Sequence, residues 1–356
     1  MKKLLLILLI PFFVSGCYDY QELNDLAIIS GIAIDYGEDY EVTFEILNSE
    51  KDSDEKVYYV KANGKTISEA FTNACFKIHK EAYFAHIKAV LFSEEIARNY
   101  MQDVTDYILR EPNIRNIFYP LIVLEGKARD ILENEKKDDS TSEAIEKTLS
   151  NTKSMPSIAI PMDFETLMNR FVADKKDAYL NTIKKEREGF ALSGLGLFQK
   201  YKLIDILNEE ETFLFNLLKN TSDNTYMKMA CPNKSDKTIT IDFYHNRDTK
   251  MSVLDDTLHI ESHLKGSIVE DDCELDFRVA QNYEILSKEA EKEMKDKINR
   301  LLTKIQKSES DVLDIQNSYY IKERKELSHW YTLKKDVKTN IDINKNGLIF
   351  KVNPNE

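Results

Sequence analysis

The period of the hydrophobic pattern changes several times along the chain, and each change marks an element. Leu26 to Ile34 is apolar with little alternation, which predicts a strand buried on both faces. Beyond a Tyr36-Gly37-Glu38-Asp39 turn, Glu41 to Leu47 alternates, with Val42, Phe44 and Ile46 on one face, and predicts a strand pairing back. Val57 to Ala62 predicts a third. Thr66-Ile67-Ser68-Glu69 has the form of a capping box, and Ile67, Ala70, Phe71, Ala74, Cys75 and Ile78 follow at helical spacing. Ala85 to Phe92 leads into a short apolar strand, and Ser93 caps a second helix that ends near Arg110, ahead of Pro112. Ile117 to Leu124 predicts a strand, and Gly126 to Leu132 begins a short helix. Strands alternating with helices over roughly 120 residues predict an α/β or α+β unit.

From Glu133 to Lys153 the pattern fades into Asp, Glu, Lys, Ser and Thr, which reads as a boundary carrying a weak helix. A helix over Asp163 to Ala173, strands over Ala178 to Ile183 and Phe190 to Phe198, and a helix over Glu209 to Lys219 then make a smaller block. Ser193-Gly194-Leu195-Gly196 lacks the third glycine and the following helix of a nucleotide loop. Past Asn220, alternation dominates. Ile239, Ile241 and Phe243 form one face, and Leu258, Ile260, Ser262 and Leu264 another. Leu286 to Lys307 is the longest helix, with Leu286, Ala290, Met294, Ile298, Leu301, Leu302 and Ile305 as its stripe. A second helix is expected over Asp311 to Tyr320. Val337 to Ile343 then enters an Asn346-Gly347 hairpin closed by Leu348, Phe350 and Val352. The predicted fold class is α+β: three consecutive mixed α/β domains behind a lipoprotein signal peptide, the last an antiparallel sheet with a long helix. The expected bounds are 1–16 for the signal peptide, 17–135 for the N-terminal domain, 150–222 for the middle domain and 225–356 for the C-terminal domain.

The signal peptide is read from Lys2 and Lys3, the apolar run Leu4 to Phe13 and the small pair Ser15-Gly16. Ten apolar residues as a helix reach about 15 Å, half of a bilayer's hydrocarbon core, so the segment is exported rather than spanning. Val14-Ser15-Gly16-Cys17 resembles the bacterial lipobox, which implies cleavage between Gly16 and Cys17 and lipid attachment at the Cys17 sulfur. Two acyl chains at about 0.8 kcal/mol per buried methylene hold a protein at a membrane stably, where one chain is marginal. An ordinary signal peptide with a nearby cysteine is the alternative.

The formal charge of −13 becomes −15 once Lys2 and Lys3 are removed. An acidic body without basic runs interleaved with aromatics excludes nucleic acid as a partner. Cys75, Cys231 and Cys273 match no zinc or redox spacing. Unpaired, mostly buried thiols are expected ahead of a Cys231–Cys273 bridge. His79 and His86 lack a third ligand at metal-site spacing and read as structural. His259 and His263 fall on one strand face, roughly 13 Å apart, where a solvated surface is expected. No nucleophile–base pair, metal triad or phosphate loop stands out. The expectation is a non-enzymatic protein with no cofactor and no catalytic residue.

Cys17-Tyr18-Asp19-Tyr20-Gln21-Glu22-Leu23-Asn24-Asp25-Leu26-Ala27, running into Gly31-Ile32-Ala33-Ile34-Asp35, resembles the opening of the Ger(x)C family. These are lipoprotein subunits of the nutrient germinant receptors of spore-forming bacteria. Tyr18 stands where tryptophan is usual. His86 before a short strand, then Ser93-Glu94-Glu95-Ile96-Ala97, continues the resemblance, as do Arg110 to Arg115 with Gly126-Lys127-Ala128. Lys202, Leu203, Ile204, Leu207 and Glu211 match the family's middle pattern. At the C-terminal end only Trp330 keeps the aromatic signature, and Asp314-Ile315-Gln316-Asn317 replaces the usual glycines. The resemblance implies a palmitate-type lipoprotein on the outer, extracytoplasmic face of the spore inner membrane. It would join two integral-membrane receptor subunits, of A-type and B-type, and be needed for nutrient-triggered germination. The alternative is a solute-binding lipoprotein of a transporter, which would show two similar α/β lobes around a cleft.

Overall fold

The computed structural model describes residues 25–48, 54–133, 138–151, 158–187, 189–221, 224–232, 234–244, 248–273, 275–277 and 279–344. The signal peptide, the Gly16–Cys17 cleavage site and the Asn346-Gly347 hairpin lie outside them. β1 (Leu26–Tyr36) is buried along nearly its whole length, as its unbroken apolar run predicts. It pairs antiparallel with β2 (Tyr40–Leu47), which pairs antiparallel with β3 (Val57–Gly64). On its other side β1 runs parallel to β4 (Glu81–Tyr83) at its start and to β5 (Ala89–Ser93) further on. The ladder continues parallel through β6 (Tyr119–Val123) and β7 (Tyr179–Lys185), then antiparallel through β8 (Phe190–Gln199) and β9 (Lys202–Leu207). Among the described residues this is one nine-stranded sheet, ordered β3-β2-β1-β5-β6-β7-β8-β9 with β4 beside β1.

The stretch 135–150, expected as a boundary between two domains, therefore does not divide the sheet, because β6 hydrogen-bonds to β7 across it. Helices cover both faces. α1 (Ile67–Cys75) and α2 (Met101–Arg110), the latter entered through a π-turn at Ile96–Tyr100, pack on one face with Ile32, Ile34, Phe44, Val90 and Phe92. α3 (Ala128–Leu132) and α4 (Thr141–Ser150) pack on the other with Ala33, Leu91, Leu121 and Val123. Successive side chains of β1 thus enter different cores, which removes the alternation. α1 stops at Cys75, short of Ile78. Thr66 caps it by accepting the Glu69 N–H, while the Glu69 carboxylate takes the Lys65 N–H instead of closing on Thr66. α5 (Phe164–Phe171) is capped by Asp163. α6 (Glu209–Leu218) carries a full capping box from Asn208 and Glu211.

The second sheet is ordered β10 (Asn224–Cys231), β11 (Lys234–Tyr244), β13 (Thr257–Asp271) and β12 (Thr249–Leu254). β13 is long enough to pair with β12 through its first half and β11 through its second along one edge. β14 (Lys334–Asn344) takes the other edge. The expected antiparallel sheet holds except here, because β14 runs parallel to β13. α7 (Ala280–Ser308) carries the chain across the sheet between them, as a parallel pair requires. Its whole predicted stripe is buried, and Thr339 Oγ1 and the Ile341 N–H both bond to Glu291. α8 (Ile315–Glu323) begins later than predicted, because Asp311 turns back and accepts the N–H groups of Ile315 and Gln316. Cys231 and Cys273 form a disulfide, correcting the expectation of unpaired thiols. The register of β10, β11 and β13 brings their ends together, which sequence spacing does not reveal. Cys75 remains a half-buried thiol whose burial pushes its pKa up.

Candidate functional site

Two buried carboxylate sites lie along β1 and β2, and Asp35 and Ala128, which carry the resemblance, build the first. Gly31 sits where a side chain would meet Ser142 Cβ at 2.7 Å, so the glycine lets α4 approach the sheet. Asp35, at the end of β1, accepts the Ala128 N–H at 2.7 Å and the Arg129 N–H at 3.1 Å, holding the first turn of α3. Burial pushes the Asp35 carboxyl above its ordinary pKa even against these two donors. Glu45, which pairs with Gly31 and has no exposed surface, accepts from Ser30 Oγ at 2.9 Å, Ser140 Oγ at 2.7 Å and the hydroxyl of Ser142. It also takes the Thr141 N–H at 2.8 Å and the Ser142 N–H at 3.2 Å. These carboxylates accept from N–H and O–H groups of the helices' first turns, which holds α3 and α4 against the sheet.

A second polar cluster joins the two sheets. Arg170 on α5 grips Asp314 through both terminal nitrogens, at 2.6 and 3.2 Å, donates to the carbonyls of Asp177 and Val312, and lies 4.5 Å from the centre of the Tyr179 ring. Lys219, at the end of α6, meets the same Asp314. Asp177 accepts the Asp311 and Lys200 N–H groups. Burial pushes the Asp311 carboxyl up to about 6, helped by Asp314 and Asp177 nearby and opposed by its two N–H donors. Burial would raise Asp314 as well, but its hydrogen bond to Arg170 and the charges of Lys219 and Arg170 carry it below the ordinary range. Burial lowers Lys219 despite Asp314. No sequence signal marked this cluster, because its members are up to 144 residues apart. Asp314 belongs to the run that replaces the family's glycines, and its backbone is left-handed.

The histidines are not brought together into a metal site. His79 and His86 are exposed, with His86 against the Tyr83 ring. His259 and His263 sit on the polar face of β13, and each contacts a carboxylate, Asp336 and Glu261 respectively. Among the described residues no group of three or more metal-ligating side chains converges. A cleft of about 460 Å³ lies between β9 and α7, lined by Ile204, Asp205, Arg300, Thr303, Lys304 and Lys307. Lys304 is already engaged by Glu211 and the Ile206 carbonyl. No helix among the described residues is long and apolar enough to cross a membrane. Cys17 and Gly16 fall outside the described residues.

Residues 19–185 match the family model described as the spore germination protein N-terminal domain. Residues 193–347 match the one described as spore germination B3/GerAC like, C-terminal. Spore germination protein GerQC of Bacillus cereus is 23% identical over 326 residues, covering 89% of each chain. Spore germination protein KC of Bacillus subtilis is 24% identical over 371 residues, covering 92% of this chain and 88% of its own. The crystal structure of the GerBC protein superposes with a TM-score of 0.58 at 18% identity, covering 91% of this chain and 99% of that one, which places both in one fold. Matched along nearly its whole length by both halves of the family, the chain belongs to the GerAC-like, C-type spore germination proteins.

Proposed function

We propose that the protein is a lipid-anchored, non-enzymatic subunit of a germinant receptor complex, needed for nutrient-triggered spore germination. It is held on the outer face of the spore inner membrane by acyl chains on Cys17 and joins two integral-membrane subunits, A-type and B-type. The observation that carries this reading is a lipobox, Val14 to Cys17, placed directly ahead of a chain that matches the spore germination family from residue 19 to residue 347. The buried carboxylates support a non-enzymatic role, since their oxygens are taken by the protein's own N–H and O–H groups. Contact with the polytopic subunits falls to the first sheet, because its leading strand begins nine residues after Cys17, at most about 30 Å of extended chain.

Replacing Cys17 by Ala in spores tests the anchor. The chain is expected to leave the membrane fraction, and nutrient-triggered germination to fall to the level of spores lacking it. A Cys17→Ala chain that stays with the spore membrane and germinates normally would sink the reading. Exchanging exposed residues sheet by sheet tests the docking side: assembly with the membrane subunits should be lost from the first sheet, and loss from the second alone would reject it.

A further inference from the structure

The upstream end of the first sheet collects the exposed apolar side chains of that region. β1, β5 and β6 run parallel, so their N-terminal ends lie together. β3 has the same sense as β1, being antiparallel to β2, and α1 returns from it. The C-terminus of α1 therefore arrives at this end, where Glu81 pairs with Leu26. α2 returns likewise between β5 and β6. Among the described residues of 25–160, three large apolar side chains stand exposed and all sit here: Phe76 just past α1 (82% exposed), Leu109 near the end of α2 (46%), and Ile117 (63%). Ile117 is two residues ahead of Tyr119, whose N–H bonds to the Lys88 carbonyl. Single exposed apolar residues are ordinary; three at one end of one sheet are not scattered.

Two further features converge on that end. Leu26 begins β1 there, so the chain that follows Cys17 enters the sheet at the same end as Phe76. The segments 76–88 and 109–117 carry Lys77, Lys80, Lys88, Arg110 and Arg115 against Glu81 and Glu111; Lys88 pairs with Glu146 and Arg110 with Asp106, so with those two carboxylates included this end is formally +1 on a chain of −13. Apolar tips ringed by cations and aromatic-polar pairs such as Tyr83 and His86 suit the headgroup layer of an anionic bilayer.

We infer that this end of the first sheet is a bilayer-contact surface, with Phe76, Leu109 and Ile117 seated in the headgroup region of an anionic membrane. The inference rests on the anchoring of Cys17 proposed above and adds an orientation to it: β1 stands with its N-terminal end toward the lipid.

The test places tryptophan at Phe76, Ile117 or, as a control, Leu254 in the full-length lipidated chain on phosphatidylglycerol-containing vesicles with brominated acyl chains. Trp330 is buried and gives a constant background. Quenching at positions 76 and 117 but not 254 is expected. Equal quenching at all three, or none while the chain remains on the vesicles, overturns the orientation and leaves the anchor standing. Flotation of the Cys17→Ala chain with the same vesicles separates the two ideas. Weak, salt-sensitive binding is expected, reduced about tenfold by Phe76→Ser with Ile117→Ser. No binding of the Cys17→Ala chain to the anionic vesicles rejects the contact surface. Shielding of Phe76→Trp only when the polytopic subunits are present assigns the face to protein and rejects it too. An unmodified Cys17 by mass spectrometry would remove the anchor alone.

Discussion

In the first sheet, covered by helices on both faces, Asp35, Glu45 and Asn181 are buried and fully engaged by backbone N–H groups, carbonyls and hydroxyls. In the second, the corresponding charged positions of β13, among them Glu261 and Lys265, stand on a face open to water. Two-sided burial makes a polar residue part of the scaffold, since each of its bonds replaces one that water would have made. One-sided burial leaves charge free to vary, and cohesion comes instead from the α7 stripe and the Cys231–Cys273 bridge. The contrast predicts where the fold is brittle.

The largest effect is expected at Glu45. Removing its carboxylate by Glu45→Ala leaves three hydroxyls and two N–H groups without their acceptor in a closed space, so a loss of about 3–5 kcal/mol in urea unfolding is expected. Glu261→Ala, on the open face of β13, should change the midpoint little. Similar losses at the two positions would break the comparison.

Next comes the bridge. Cys231→Ala with Cys273→Ala opens a loop of 42 residues, and about 2–4 kcal/mol of stability should go with it. The loss should appear in hydrogen exchange of β10, β11 and β13 while β1 and β2 keep their protection, because the bridge ties the end of β10 to the segment after β13 and β1 and β2 pair with neither. Loss of protection spread equally over both sheets would show that they unfold as one unit.

These contrasts also explain how much was legible beforehand. Local signals served well wherever one element decided its own structure. Examples are the unbroken run of β1, the helix predicted over Glu209 to Lys219 and the seven-residue stripe of α7. The polar stretch 133–153 carries a surface helix, α4, that buries only Ser142, Ile145 and Leu149, too few to register as a periodic face. The parallel partner of β13, the disulfide and the Arg170–Asp314–Lys219 cluster depend on register between distant segments, which no local pattern encodes. The lipobox proposed at Gly16 and Cys17 is a local sequence motif, whereas the apolar tips at Phe76, Leu109 and Ile117 gain meaning only when topology gathers them at one end.

The smallest predicted effect lies where the two regions meet, and it sharpens the comparison with pH. Asp311, wholly buried, has a native pKa raised to about 6, so the folded state binds its proton more tightly than the unfolded chain does. A raised carboxyl contributes stability that is present at low pH and lost as pH rises through the folded value. Asp177, also raised by burial, acts in the same direction. Asp314 is depressed, and its contribution is lost only as pH falls below the ordinary carboxylate range near 4. Between about pH 4 and 6 the junction should therefore tighten on acidification. The native chain should gain about 2 kcal/mol relative to Asp311→Asn between pH 7 and pH 4.5, read from paired denaturant curves. A constant difference across that range would mean that Asp311 titrates as it does in the unfolded chain. The contact between the sheets would then be indifferent to protons, and the Arg170 cluster would act as a fixed rivet in the manner of Glu45.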